Sequence, residues 1–367
     1  MTEPTPPSDL AAGDQIGERF TGSRDSVPPE LLVALEATGA DVLTDEGARA
    51  SGSRDWWPVS IGWAAQRRVG ALAEIVVRPH STAEVSAVLA ACHLTGVAVT
   101  PTAGRSGVCG GVIPLRGGVS LDLTGLDRIL EVDETSCTLR VEAGVFGPDL
   151  ESHLRSVGSG FTLGHWPQSM DLSTVGGWLA CRGAGQYSNR YGKIEDMVRG
   201  LTVVLADGTV VHTEGGGPRS ATGPNLTQLF VGSEGTLGVI TESTLMIRPL
   251  PKGEGRGAWG FDTFDDGMEA CRRIIQRGAT PAVLRLYDES ESERNFSVQS
   301  NVLIALDEAD PAIVEATMAI VNQEVGDAEP GGHVDRLGGP VAGDHPGHLV
   351  RERGVGHGRL PGGVLVP

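Results

Sequence analysis

A chain of 367 residues with 40% hydrophobic and 21% charged residues can bury at least one full core, which excludes wholesale disorder. Its formal net charge of -18 repels phosphate backbones and anionic lipid heads, so neither nucleic acid nor a general membrane surface is the expected partner. No run approaches the roughly 18 apolar residues of a membrane span, and the five cysteines never form a CxxC pair. These features predict a cytoplasmic protein without a transmembrane segment, a disulfide framework or a metal site.

The N-terminal part predicts little regular structure. Residues 1–26 lack apolar periodicity and are predicted to form a flexible arm. Pro28–Ala37 predicts a short helix, and the residues from there through Asp55 predict a linker.

A strand–helix–strand unit is predicted next. The apolar run at Ile75–Pro79 indicates a buried strand, and Ser81 with Glu84 three residues later predicts a capped helix. Gly96 supplies the end of that helix, and residues 97–99 predict the second strand. The apolar face of the helix contains Val85, Val88, Leu89 and Cys92.

Further strands and helices follow in alternation. Strands are predicted at 119–123, 129–132, 138–143, 236–247, 283–287 and 302–306, and helices at Pro148–Val157, Phe264–Arg277 and Pro311–Val325. Residues 202–212 contain two β-branched runs joined by Asp207-Gly208, which predicts a hairpin with a two-residue turn. Leu250–Gly260 is rich in proline and glycine, which predicts a linker between domains.

The glycine-rich stretch at 101–111 (PTAGRSGVCGG) follows the strand–helix–strand unit. Its backbone amides could cradle a diphosphate, or the stretch could be a surface turn. It is neither a GxGxxG before a helix nor a GxxxxGK[ST], so a nicotinamide Rossmann site and a P-loop are both poorly supported.

Four segments, taken in their order and separation, resemble the flavin-binding half of the vanillyl-alcohol-oxidase type (PCMH-type) family. The resemblance implies an α+β fold, with a two-subdomain FAD-binding domain followed by a partial α+β cap. The implied cofactor-binding residues are Pro101, Thr102, Ala103, Gly104, Arg105, Ser106 and Gly107; Gln168, Ser169, Met170, Asp171, Leu172, Ser173 and Thr174; Cys181, Arg182, Gly183 and Ala184; and Glu234, Gly235, Thr236, Leu237, Gly238, Val239 and Ile240.

Several details qualify what the resemblance implies about the cofactor. Some relatives attach the flavin to a histidine in the first segment, whereas no histidine lies between His93 and His153, so noncovalent FAD is expected. Ala103 and Arg105 stand where the commonest version has glycines; Arg105 could clash with a tight loop or pair with a phosphate. His165, just before the second segment, could shape the active site or be a structural histidine.

Within the family, the runs GHWPQS, STVGGW, NRYGKIEDMV, GPRSATGP and SEGTLGVITESTLMIRPLP look most like alkyldihydroxyacetonephosphate synthases, over roughly residues 74–290. Those enzymes exchange the acyl chain of acyl-dihydroxyacetone phosphate for a fatty alcohol in ether-lipid synthesis, and their FAD acts through an adduct rather than by net oxidation. The resemblance implies that Arg285 holds the substrate phosphate; the alternative is a strand arginine in a surface salt bridge. It assigns no catalytic residue.

The predicted organisation is an arm with short helices at 1–70, the FAD-binding domain at 71–250, a partial cap at 251–330 and a disordered or aberrant tail at 331–367. The tail contains 11 glycines and four of the nine histidines, and the family continues here with a long structured region.

Two other functions stay open: an FAD-linked oxidase or dehydrogenase of a small 2-hydroxy acid such as D-lactate or glycolate, and a truncated, inactive FAD-binding protein. A phosphorylated, lipid-like small molecule is the expected substrate, and a homodimer is the expected assembly.

Overall fold

The computed structural model describes residues 16–20, 22–213 and 221–326, together with the backbone of 335–336. The helices are α1 (Pro29–Glu36), α2 (Glu46–Ser51), α3 (Pro58–Ala64), α4 (Thr82–Thr95), α5 (Gly147–Ser156), α6 (Val175–Ala180), α7 (Ser188–Tyr191), α8 (Ile194–Met197), α9 (Leu226–Phe230), α10 (Phe264–Gln276), α11 (Glu289–Phe296) and α12 (Pro311–Gly326), with a 3-10 turn at Leu123–Gly125.

The strands are interspersed with these helices. They are β1 (Gly17–Glu18), β2 (Asp41–Leu43), β3 (Arg68–Val69), β4 (Ile75–Arg78), β5 (Val99–Thr102), β6 (Val119–Asp122), β7 (Ile129–Asp133), β8 (Thr138–Glu142), β9 (Phe161–Thr162), β10 (Val198–Val204), β11 (Val210–His212), β12 (Val239–Met246), β13 (Arg248–Pro249), β14 (Gly253–Phe261), β15 (Val283–Tyr287), β16 (Asn301–Ala309) and β17 (Asp335–Arg336).

The chain divides into two compact units. The first contains residues 1–163, 167–184 and 193–249, and the second contains 164–166, 185–192 and 250–367. Two short pieces of the second unit therefore lie, in sequence, inside the first. The domain bounds predicted at residues 70, 250 and 330 stay a prediction.

In the first unit, a four-stranded sheet has the order β2-β4-β6-β5. β4 and β5 both run parallel to β6, with helix α4 as the crossover between them, while β2 is antiparallel to β4. Helix α4 begins at Ser81, whose Oγ accepts a hydrogen bond from the Glu84 amide at 3.2 Å, and ends at Gly96 with φ of 69°. The predicted apolar face of α4 is buried in the core that covers this sheet.

The second sheet of the first unit is antiparallel, with the order β11-β10-β12-β8-β7. Strands β10 and β11 form the predicted hairpin, but its connection is longer than two residues. Leu205 and Thr209 close the turn through a 2.8 Å backbone hydrogen bond, and Gly208 adopts φ of 88°. The Asp-Gly pair therefore lies in a three-residue loop, where glycine takes the left-handed position.

The second unit is built on an antiparallel sheet of order β15-β16-β14-β17, against which α10 and α12 pack. The linker predicted at Leu250–Gly260 is wrong, because most of it lies in strand β14. Its glycines make room for α12, because a Cβ at Gly255 would lie 2.8 Å from both Met318 Cγ and Val314 Cγ1. Glycine composition here reflects close helix–sheet packing rather than a flexible connection.

An ion pair and a hydrogen bond connect residues 185–192 to strand β16 within the second unit. The Arg190 guanidinium donates to both carboxylate oxygens of Asp307 at 2.6 Å, and Asp307 is fully buried. The Tyr191 hydroxyl donates to Glu308 Oε1 at 2.6 Å. Removal of one partner would leave an uncompensated buried charge, which typically costs about 3–5 kcal/mol.

Most predicted elements outside the linkers are confirmed, within a few residues at their ends. The predicted linker through Asp55 is wrong, since it contains β2 and α2, and residues 17–18 of the predicted arm form β1, which pairs in parallel with β3. The remaining arm residues 1–15 and 21 lie outside the described residues. So does the predicted disordered tail at 331–367, apart from the backbone of 335–336, which pairs with β14.

Candidate functional site

The first of the four predicted cofactor segments, at the loop after β5, contacts both the second and the fourth. A Cβ on Gly104 would overlap the Leu172 carbonyl oxygen and lie 3.2 Å from Ser173 Cα, so only glycine allows the first and second segments to approach this closely. A Cβ on Gly235 would lie 3.0 Å from Pro101 Cγ, which brings the fourth segment against the first.

The third segment joins the same surface through the fourth. The Gly232 amide donates to the Leu179 carbonyl at 2.9 Å, and the Glu234 amide donates to the Ala180 carbonyl at 3.1 Å. Both carbonyls belong to the last turn of α6, immediately before Cys181. All four segments thus form one continuous surface of the first unit.

Three of these segments contain a non-glycine residue in the left-handed backbone region. Arg105 has φ of 53°, Arg182 of 54° and Glu234 of 49°. Such residues are uncommon and cost roughly 1–3 kcal/mol each, and they cluster at ligand-binding sites. Their recurrence here indicates loops held in specialised shapes, in which consecutive amides can face an anionic group.

The surface has an exposed, partly apolar rim. Val108, next to the first segment, is 60% exposed, and Leu237 in the fourth is 47% exposed. Gly107, Cys181 and Thr236 are exposed as well. Large apolar side chains left in solvent beside glycine-rich backbone suit a ligand with both a ring system and polar groups.

Side chains of the second segment hold their own turn together. The Ser173 hydroxyl donates to the Ser169 carbonyl at 2.7 Å and accepts from Trp178 Nε1 at 2.6 Å. Thr174 caps α6 through its hydroxyl, which accepts from the Gly177 amide at 3.4 Å. Both hydroxyls are buried and already have protein partners, so direct cofactor contacts by these two side chains stay a prediction.

Arg105 turns away from the exposed rim. Its side chain is 4% exposed, and Nη1 lies 3.6 Å from Asp122 Oδ2. The same carboxylate pairs with Arg78 at 2.9 Å and caps the 3-10 turn through the Thr124 amide at 3.1 Å. The sequence left open a clash with the loop or a pair with a phosphate. In the structure Arg105 fits the loop without a clash, and its partner is a carboxylate.

His165, in the second unit, is fully buried, and burial lowers the pKa of its imidazole to about 4. The ring is neutral at physiological pH as a result. A neutral buried imidazole is consistent with the structural role that the sequence left open.

Arg285 lies on β15, at intermediate exposure, and its Nη1 donates to the Tyr287 hydroxyl at 3.0 Å. Among the salt bridges of the described residues none includes Arg285, which argues against the surface ion pair considered as its alternative role. A guanidinium without a carboxylate partner can pair with an anionic ligand without first breaking a salt bridge.

Sequence reasoning missed one residue beside these segments, Asp55. Its buried carboxylate accepts a 2.8 Å hydrogen bond from the Gly110 amide, at the far end of the glycine-rich stretch. A single aspartate in an apparent linker carries no periodic or spacing signal that could have identified it.

Comparison with known proteins relates part of the chain to a cofactor-binding family. Residues 73–214 match the family described as "FAD binding domain". The alkyldihydroxyacetonephosphate synthase of Dictyostelium discoideum is 34% identical over 227 residues, which cover 61% of this chain and 36% of that enzyme. The glycolate oxidase subunit GlcD of Bacillus subtilis is 34% identical over 216 residues, 59% of this chain and 46% of that protein.

Similarity extends to the three-dimensional fold. A solved structure of alkyldihydroxyacetonephosphate synthase superposes with a TM-score of 0.77 at 26% identity, and the alignment covers 91% of this chain and 64% of that one. The chain spans between about a third and a half of the length of these two curated relatives. The mixed helical and sheet architecture of a PCMH-type FAD-binding fold, expected from the sequence, is confirmed.

We expect Gly104→Ala to destabilise the first unit by about 1–3 kcal/mol, because the new methyl group must displace backbone of the second segment. Urea unfolding of the cofactor-free protein measures the change. Gly62→Ala on α3 is the matched control: nothing lies within 4 Å of its new Cβ, and it should stabilise by about 0.5–1 kcal/mol. Equal stability of the two variants would contradict the proposed close packing.

His165 should make stability depend on pH. Because burial depresses its pKa from 6.5 to about 4, the unfolded chain binds the extra proton first, so its contribution is complete above pH 6.5 and is lost as pH falls toward 4. The loss at pH 5 should be about 2 kcal/mol. Urea unfolding at pH 7.5 and pH 5 should show a smaller pH dependence in His165→Gln, whereas exposed His153→Gln should behave as the unchanged protein.

Proposed function

From the premise that the chain belongs, through residues 73–214, to the FAD-binding domain family, we propose an FAD-dependent enzyme that exchanges the acyl chain of acyl-dihydroxyacetone phosphate for a fatty alcohol. FAD is its cofactor. The flavin supplies the covalent chemistry of such an exchange when bound, and the protein binds and orients the reactants. Ether-lipid synthesis is the corresponding process.

The convergence of the four segments is the observation that carries the cofactor site. Glycine at 104 and 235 lets the first segment touch the second and the fourth, and strained backbone recurs at Arg105, Arg182 and Glu234. The adjoining apolar side chains Val108 and Leu237 offer surface that a flavin ring could cover. These features fit a cofactor with both a diphosphate and a planar ring.

Similarity to the synthases supports the exchange reaction over the alternatives. The shared structure covers 91% of this chain, and Arg285 stands on a strand of the second unit with no carboxylate partner among the described residues. A guanidinium without a carboxylate partner suits the phosphate of the proposed substrate, because its planar fork matches phosphate oxygens. No general acid or base is assigned.

A second function has support of its own. Similarity to the glycolate oxidase subunit of Bacillus subtilis favours an FAD-linked oxidase or dehydrogenase of a small 2-hydroxy acid. A related cofactor domain can serve either reaction, because function depends on the substrate site rather than on the fold.

No helix among the described residues is long and apolar enough to cross a membrane. A cytoplasmic location and a homodimeric state stay predictions.

Noncovalent cofactor binding is the first expected outcome, since no histidine lies between His93 and His153. The purified chain, reconstituted with FAD, should show the visible absorption bands of oxidised flavin. Acid precipitation should release the flavin into the supernatant, and mass spectrometry of the pellet should return the unmodified polypeptide. Flavin that stays with the pellet would contradict noncovalent binding, and failure to take up FAD would contradict the cofactor site itself.

Loss of the Arg285 fork should raise the KM for acyl-dihydroxyacetone phosphate. In Arg285→Lys we expect an increase of about 10- to 100-fold, the loss of a bidentate charge-assisted contact, with FAD content unchanged. The assay follows transfer of a radiolabelled fatty alcohol into the alkyl product. Arg294→Lys on α11 is the matched control. That guanidinium is 71% exposed, and its salt bridge to Glu291 is long, at 3.9 Å.

The outcomes of that assay separate the two functions. Formation of alkyl product by the unchanged chain supports the exchange reaction. Flavin bleaching by D-lactate or glycolate, without alkyl product, would support the second function. An Arg285→Lys variant with an unchanged KM would remove the arginine from the substrate site.

A further inference from the structure

Asp55 is a buried carboxylate that belongs to none of the four segments. It is 1% exposed and lies outside residues 73–214, which match the FAD-binding family. Its Oδ1 accepts from the Trp57 amide at 3.0 Å, and its Oδ2 accepts from the Gly110 amide at 2.8 Å. A buried acidic group is costly unless it is hydrogen-bonded, so its presence here needs a reason.

The backbone that carries Asp55 is fixed to the parallel sheet of the first unit. Ser53 Oγ accepts from the Ala73 amide at 2.9 Å and donates to the Arg49 carbonyl at 2.6 Å. The Ser120 hydroxyl of β6 donates to the Gly52 carbonyl at 2.9 Å. The segment that precedes Asp55 is therefore bonded to strand β6 and to Ala73, two residues before β4.

The glycine-rich stretch presses on Asp55 and its neighbour from the other side. Gly110 has φ of 80°, and a Cβ there would lie 2.9 Å from the Trp57 ring. A Cβ on Gly107 would be 3.6 Å from Asp55 Oδ2. Trp57 is itself braced edge-on by Trp63, with ring centroids 5.5 Å apart. The turn from Gly107 to Gly110 thus rests on a rigid support.

Electrostatics agree with a structural carboxylate. Burial raises the pKa of Asp55, and the backbone hydrogen bonds from Trp57 and Gly110 act in the opposite direction. Those two amide bonds offset only part of the loss of water around the charged form, since the net shift of the pKa is upward. No salt bridge of the described residues includes Asp55, so these two amides are its principal partners there.

We propose that Asp55 is a positioning residue for FAD, which holds the Gly110 amide and so fixes the Gly107–Gly110 turn in the shape that receives the cofactor diphosphate. The turn continues the first cofactor segment, whose amides would otherwise rotate among several arrangements. A preformed arrangement binds an anion more tightly, because less conformational entropy is lost on binding. This inference rests on the cofactor site proposed above.

The test compares two aspartate-to-asparagine variants of the full chain. In Asp55→Asn the side chain keeps its size, but an NH₂ group now faces one of two amide donors. Asp45→Asn is the matched control, since Asp45 is exposed and caps α2 by accepting from the Ala48 amide at 2.9 Å, a role that asparagine performs equally well. Isothermal titration of each apoprotein with FAD gives the dissociation constant.

We expect Asp55→Asn to raise the FAD dissociation constant by about 10-fold or more, the effect of one hydrogen bond to a charged group, and Asp45→Asn to change it less than about twofold. Amide hydrogen exchange of the cofactor-free proteins should show faster exchange for Gly110 in Asp55→Asn alone. Equal FAD affinity and equal exchange in both variants would overturn the inference. Absence of FAD binding by the unchanged chain would instead overturn the proposed site.

A second variant covers the case in which Asp55→Asn does not fold. Ser53 lies two residues before Asp55, and its hydroxyl fixes the same segment to Ala73. Ser53→Ala removes that hydroxyl. It should weaken FAD binding by about threefold, since the support is loosened rather than removed. Folded Ser53→Ala protein with unchanged FAD affinity would count against the inference.

Discussion

The contact between Gly104 and the backbone of Leu172–Ser173 sets the geometry of the whole candidate site. Because no side chain separates these two segments, the loop after β5 and the turn before α6 lie at backbone contact distance. The remaining segments then follow: Gly235 rests on Pro101, and the amides at 232 and 234 bond to the end of α6. The site is a product of backbone packing more than of side-chain chemistry.

Strained backbone is affordable there because the surroundings are rigid. The first segment begins in strand β5, and the fourth ends in β12, the central strand of the antiparallel sheet. Asp122, at the end of β6, engages Arg78, Arg105 and the 3-10 turn together. A hub of this kind lets Arg105 occupy left-handed backbone space while its charge remains compensated.

Elements with local signals were predictable from the sequence. The bounds of β15 are as predicted, and α4 has its serine cap, apolar face and glycine end, because each depends on neighbours within a few residues. Strand β14 was not predictable, since its glycines serve a helix about 60 residues later in the chain. Short-range composition there resembles a linker, and only the partner α12 explains it.

The same distinction applies to the site. Segment order predicted four stretches that the structure brings together, whereas the direction of the Arg105 side chain depends on Asp122. Asp55 could not be found either, because its partner Gly110 is distant in sequence. Long-range partners of single polar residues leave no pattern in a lone sequence.

The interleaving of the two units along the chain has a consequence for dissection of the protein. A polypeptide cut after Pro249 would keep Arg190 and Tyr191 but lose Asp307 and Glu308, to which they are bonded. Such a fragment would lose the carboxylate partner of Arg190 and the bond from Tyr191 to Glu308, within the peptide that links its third cofactor segment to α8. Any exchange of the second unit between homologues must therefore transplant residues 164–166 and 185–192 together with 250–367.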